Sequence, residues 1–164
     1  MTVAMLLAAM LAAPAQSAPA TVANAATITP GGPVRGAFFA LSVKDARKMA
    51  DWYRNQLGFR TLLERDIARQ RIVAILLERD ASMIELIQRD DSRPAPARAD
   101  GRRSAIEIQG IFKIGLSVTD LQGLHDRLEA SGADFDYHIV QPDGNPWRTF
   151  AVRDPEGNIV QFFG

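Results

Sequence analysis

One segment occurs twice in this chain, and that repetition constrains the fold more than any other feature. Phe112-Lys113-Ile114-Gly115-Leu116-Ser117-Val118-Thr119-Asp120 has a near copy, Phe38-Phe39-Ala40-Leu41-Ser42-Val43-Lys44-Asp45, seventy-five positions earlier. In both copies a Leu-Ser-Val-x-Asp core leads into a helix-like segment, which implies two units of the same design. The copies differ at one telling position, Phe38 in the first and Lys113 in the second.

The pattern around each copy fills in the rest. Residues 38–43 read as a strand, Asp45 as the cap of a helix over 46–57, and Gly58 as the left-handed residue beyond its end. Met49, Tyr53 and Leu57 form its buried stripe. Strand-like runs follow at 59–65, 71–78 and 82–88, with breaks at Asp66 and at Asp80-Ala81. The second unit repeats the order. It has a strand at 111–118, Asp120 as cap, a helix over 121–131 with Leu121, Leu124 and Leu128 inward, and Gly132 as terminator. Strands are expected at 135–140, 147–153 and 158–163, the last two joined by a type I turn at Asp154-Pro155-Glu156-Gly157. The expected organisation is a first module at 35–91, a linker at 92–107 and a second module at 108–164.

Alternate residues of a strand point to opposite faces of its sheet. Phe39, Leu41, Val43, Ile114, Leu116 and Val118 make one apolar face for the helices to cover. Phe38, Ala40, Ser42, Lys113, Gly115 and Ser117 make the other. Small and polar side chains do not fill a core, so the second face is expected to line a cleft.

Composition narrows the partners. With 19 basic and 19 acidic side chains in 164 residues, the chain lacks the concentrated positive charge that phosphate backbones require, so nucleic acid is not expected. The first charged residue is Arg35, preceded by an apolar run at 3–13 and a Pro- and Ala-containing tail. Residues 1–25 are therefore read as an export signal and 26–34 as a flexible lead-in, although the usual basic residues before the apolar run are missing. A periplasmic or secreted product is expected, with no membrane association once the signal is removed, and a cytoplasmic one if the segment is not a signal. The chain has no cysteine.

Two successive strand-helix-strand-strand-strand modules, the repeated Leu-Ser-Val-x-Asp, Trp52-Tyr53 followed by Leu57-Gly58-Phe59, and the closing Asp154-Pro155-Glu156-Gly157-Asn158 together resemble the vicinal oxygen chelate superfamily. That family includes glyoxalase I, bleomycin-resistance proteins and extradiol dioxygenases. The resemblance covers 35–164 and implies an α+β fold in which tandem βαβββ modules form a curved mixed sheet around a cleft. It is specific for fold and weak for reaction. It also implies that a homodimer can complete the cleft.

Metal-dependent members of the family place ligands at four positions, which here match Phe38, Glu85, Lys113 and Gln161. Only Glu85 is an ordinary ligand, so neither a metal nor another cofactor is expected. His125 is read on the polar side of the second helix and His138 in a strand away from the four positions. If the four converge, Lys113 and Glu85 are expected to form an ion pair where the metal charge would stand. Two functions then stay open. One is a small-molecule binder with Phe38, Trp147, Phe150 and Phe163 as apolar contacts and Glu85, Lys113 and Gln161 as polar ones. The other is a metal-independent isomerase, epimerase or lyase in which Lys113 polarises an oxygen and Glu85 moves a proton.

Overall fold

The computed structural model describes residues 36–93 and 111–164. The expected leader, lead-in and most of the linker lie outside these residues. The elements run β1 (Ala37–Val43), α1 (Ala46–Leu57), β2 (Arg60–Ile67), β3 (Ile72–Arg79), β4 (Ser82–Arg89), β5 (Lys113–Ser117), α2 (Leu121–Ala130), β6 (Asp134–Val140), β7 (Thr149–Arg153) and β8 (Ile159–Phe163). They form two four-stranded sheets, ordered β1-β4-β3-β2 and β5-β8-β7-β6. In each sheet the first and last strands of the module pair in parallel and the other pairs are antiparallel. The α+β arrangement of two βαβββ modules expected from the sequence is the one observed.

Local chemistry explains the helix limits. Asp45 is extended (φ −140°, ψ 96°) and its carboxylate accepts from the Lys48 amide at 3.0 Å, satisfying one of the free N–H groups of the first turn of α1. Gly58 takes φ 68°, and its own N–H closes on the Arg54 carbonyl while that of Phe59 closes on Tyr53. Asp120 caps α2 in the same way through the Gly123 amide at 2.9 Å, and Gly132 (φ 74°) follows its end.

Several limits differ from the sequence reading, most by a single residue; β5 spans Lys113–Ser117 against the expected 111–118. β2 continues through Asp66, which pairs opposite Val73, and the chain reverses through a short 3-10 turn (Ala68–Gln70) and the left-handed Arg71. β7 starts at Thr149 rather than at residue 147, although Arg148 still exchanges backbone hydrogen bonds with Gly164 at 2.9 and 3.2 Å.

Ala46, Met49, Ala50, Tyr53 and Leu57 of α1 pack with Val43, Ile75, Leu77, Ile84 and Leu86 of the first sheet. The same cluster takes in Leu121, Leu124 and Leu128 of α2 with Phe150, Val152, Val160 and Phe162. One core therefore serves both modules. Polar contacts tie the β7–β8 turn to the start of α1. The Glu156 carboxylate accepts from the Lys44 amide at 2.8 and 3.0 Å and from the Asp45 amide at 3.1 Å.

Candidate functional site

Each sheet has one face against the core and one turned away from it, here called the open face; it is largely exposed in the first sheet, whereas in the second Thr149, Ala151 and Gln161 on it are buried. Strand register sets what these faces carry. In the first sheet Ala40, Glu85, Leu76 and Leu63 lie in one row across β1, β4, β3 and β2. In the second, Gly115, Gln161, Ala151 and Tyr137 make the corresponding row across β5, β8, β7 and β6. Phe38 and Lys113 stand one step along their strands, opposite Met83 and Ile159. Glu85 with Phe38, and Gln161 with Lys113, are thus diagonal neighbours on equivalent surfaces.

The first open face is apolar around a single carboxylate. Phe38 is 53% exposed, and Leu63 and Met83 are exposed as well. Glu85 is half-buried among Ala40, Leu76, Met83 and Ile87, and it has no hydrogen bond or ion pair among the described residues.

The second open face is a polar network. The Thr149 hydroxyl donates to the Phe162 carbonyl at 2.6 Å, so its oxygen is left to accept, and the Gln161 Nε2–H donates to it at 2.8 Å. That chain of donors fixes the orientation of the Gln161 amide, since the flipped amide would set oxygen against oxygen. The consequence is an acceptor with nothing to accept: Gln161 is 6% exposed, and its Oε1 has no partner among the described residues. A buried polar atom without a partner is uncommon and costly. The Tyr137 hydroxyl reaches the Thr149 oxygen at 3.3 Å, and burial pushes its pKa up despite that contact.

Lys113 does not meet Glu85. No ion pair joins them, and the expected pair is absent from the described salt bridges. The Lys113 ammonium lies 5.1 Å from the centre of the Phe112 ring, and the carboxylate that influences it is Asp136. Burial lowers the Lys113 pKa and Asp136 only partly opposes this. Asp136 is itself held by the Arg153 guanidinium at 2.5 Å. Alternation along a strand fixes which face a residue occupies, but it says nothing of the distance between strands of different sheets.

The aromatic candidates divide. Phe163 is half-buried on the open face, its ring 3.1 Å from where a Cβ on Gly115 would stand, so glycine there makes room for the ring. Trp147 precedes β7 and is exposed. Phe150, expected as a ligand contact, lies instead in the core with no exposure, packed against Phe162 and His125. Its neighbours Thr149 and Ala151 hold the open face, and strand alternation sends Phe150 inward.

His125 also differs from the sequence reading. It is buried at 8% exposure, between Phe135 and Phe150, and its Nε2 meets His138 Nδ1 at 3.0 Å. Position 125 falls on the same helical stripe as 121, 124 and 128, a spacing visible in the sequence.

The family model for the Glyoxalase/Bleomycin resistance protein/Dioxygenase superfamily matches residues 36–162. The chain belongs to this superfamily. Solved structures agree on the fold. The crystal structure of SMU.1112c superposes with a TM-score of 0.63 at 22% identity, covering 77% of this chain and 96% of that one. A glyoxalase family protein from Enterococcus faecalis gives 0.62 at 19% identity, covering 82% and 98%. A glyoxalase I mutant from Zea mays gives 0.63 at 15% identity, covering 79% of this chain and 44% of the maize chain. At these identities the likeness concerns fold alone. No curated protein sequence matches the chain.

Membership of this superfamily implies a metal at the four positions in its metal-dependent members, and the side chains here do not suit one. Phe38 has no donor atom and Lys113 brings an ammonium. Gln161 has its Nε2 committed to Thr149, so the four positions offer only one amide oxygen and, on the other sheet, the single carboxylate of Glu85. A divalent ion normally takes three or more donors from His, Asp, Glu or Cys.

Proposed function

We propose that this superfamily member binds a small organic molecule on the open faces of its sheets, without a metal at the four positions. The observation that carries the reading is the Gln161 Oε1, a buried acceptor fixed in orientation and lacking a donor among the described residues. A ligand N–H or O–H would satisfy it on displacing the groups that now cover this atom. Glu85, a carboxylate set in an apolar surface, asks for the same chemistry. The ligand class that fits is a largely apolar molecule bearing amine, amide or hydroxyl donors, with Phe38, Phe163 and Trp147 as apolar contacts.

Catalysis by Lys113 and Glu85 as one acid–base pair has weaker support, because the two side chains make no contact. The exposed Phe38, Leu63 and Met83 also favour a homodimer in which a second copy covers the first open face.

Native mass spectrometry of the purified full chain, with metal analysis of the same sample, tests the reading. A bound small molecule that disappears in Gln161→Leu is the expected result. Stoichiometric zinc, iron, manganese or nickel that is lost in Glu85→Gln would overturn it.

A further inference from the structure

We propose that α2, at its margin against β6, carries a second, separate site: a divalent transition-metal site formed by the buried His125 with the exposed Asp126 and Glu129 and supported by His138 of β6. One ligand atom from each of His125, Asp126 and Glu129 lies within 4.8 Å of the other two. His125 and Glu129 are four residues apart, one above the other on the helix. The His125 Nδ1 and the Asp126 Oδ1 are 3.2 Å apart. Two donors at about 2.0–2.2 Å from one ion, roughly at a right angle, stand at about this separation.

His138 occupies the other ring nitrogen, Nε2, and so leaves Nδ1 as the one that faces the carboxylates. The two imidazole centres are 5.3 Å apart while the facing nitrogens are 3.0 Å apart. The difference accounts for both ring radii, so the line between the nitrogens runs through both rings. That is the geometry of a straight N–H···N hydrogen bond, not of two imidazoles bent toward a shared ion. In the metal-bound tautomer the His125 Nε2–H would donate to His138 Nδ1, which leaves the Nδ1 lone pair to the ion. His138 stacks on Phe135 at 4.5 Å and 15°, and the His125 ring is confined by Phe135 and Phe150, so neither ring turns freely.

The donor set is one neutral nitrogen and two carboxylates. This suits zinc, and next to it manganese, cobalt or nickel, rather than a thiophilic ion. Asp126 and Glu129 are exposed, so water completes the coordination. Gln122 Nε2 donates to Asp126 Oδ1 at 2.8 Å and orients that carboxylate.

Isothermal titration of the full chain with zinc chloride, at pH 7.5 and at pH 6, tests the site. One equivalent of zinc should bind, more weakly at the lower pH. Affinity should fall at least about tenfold in Glu129→Gln and in Asp126→Asn, and about 10–100-fold in His138→Phe. Glu85→Gln should bind as the unaltered chain does, which separates this site from the open faces. Glu129 and Asp126 are on the surface, and circular dichroism checks that their variants fold. Absence of binding at millimolar zinc, unchanged affinity in both carboxylate variants, or loss of binding in Glu85→Gln alone would each overturn the proposal.

Discussion

Tyr53 of α1 and Asp154 of the β7–β8 turn, 101 residues apart in sequence, meet in the core, where the tyrosine hydroxyl donates to the Asp154 Oδ2 at 3.2 Å. Asp154 also accepts from the backbone amides of Glu156 and Asn158 and from the Asn158 side chain. One carboxylate therefore shapes the turn of the second module and anchors it to the helix of the first. Tyr53→Phe removes a single hydrogen bond to a charged acceptor and leaves the packing intact. The expected loss is about 1–2 kcal/mol, read as a Tm lower by about 3–8 °C. Asp154→Ala, which leaves several donors unmatched, should cost more than Tyr53→Phe.

The same pair makes stability depend on pH. Burial is the main cause that raises the Asp154 carboxyl above its ordinary 3.8, against the hydrogen bonds that lower it. Between 3.8 and the higher folded value the folded chain holds more protons, so this group's contribution declines as pH rises through that window. Burial and the Asp154 charge raise the Tyr53 phenol well above 10.0. The stability it provides is present below pH 10 and is lost as pH climbs beyond it. Denaturant midpoints measured as pH rises from 3.8 should therefore lose this negative component in Asp154→Asn. Above pH 10 the decline should be shallower in Tyr53→Phe.

Much of the frame was legible in the sequence because local rules specify it. Asp45 and Gly58 fix the ends of α1, and the repeated Leu-Ser-Val-x-Asp indicates two modules of one kind. What stayed hidden depends on tertiary distance or on polarity that misleads. The stretch 149–152 is buried on both faces of its strand, so an aromatic residue there does not by itself tell a ligand-facing position from a core one, and Phe150 is sorted only by its register with Phe162. His125 holds a buried place on α2, and its polar ring conceals the stripe. The family resemblance points to Gln161 as one of four ligand positions, but its unmatched oxygen follows from the Thr149 hydroxyl twelve residues earlier, a partner that no local pattern indicates.

Lys113→Met separates an ion-paired lysine from a merely desolvated one. A pair with Glu85 would make the substitution destabilising. With no such contact, the variant removes an ammonium whose pKa burial has lowered, so Tm at neutral pH should be unchanged or higher. The alkaline profile gives a second reading. Below the ordinary value of 10.5 and above the lowered folded one, the unfolded chain holds more protons, and stability from this group rises with pH. Lys113→Met should abolish that rise. A lower Tm at neutral pH would restore the ion pair.

Gln161→Leu should dissociate binding from stability. The substitution removes a donor to Thr149, worth about 1 kcal/mol, but it also removes an acceptor buried without a partner, whose penalty is about 1–3 kcal/mol. The second effect equals or exceeds the first, so the ligand-free variant should melt at the same temperature as the unaltered chain or above it. Binding of a donor-bearing ligand should be lost at the same time, because leucine offers nothing to its N–H or O–H. A core glutamine kept only for structure would behave in the opposite way, with a lower Tm and no change in ligand affinity. Thermal melts of the two proteins, each with and without the co-purified molecule, distinguish these outcomes.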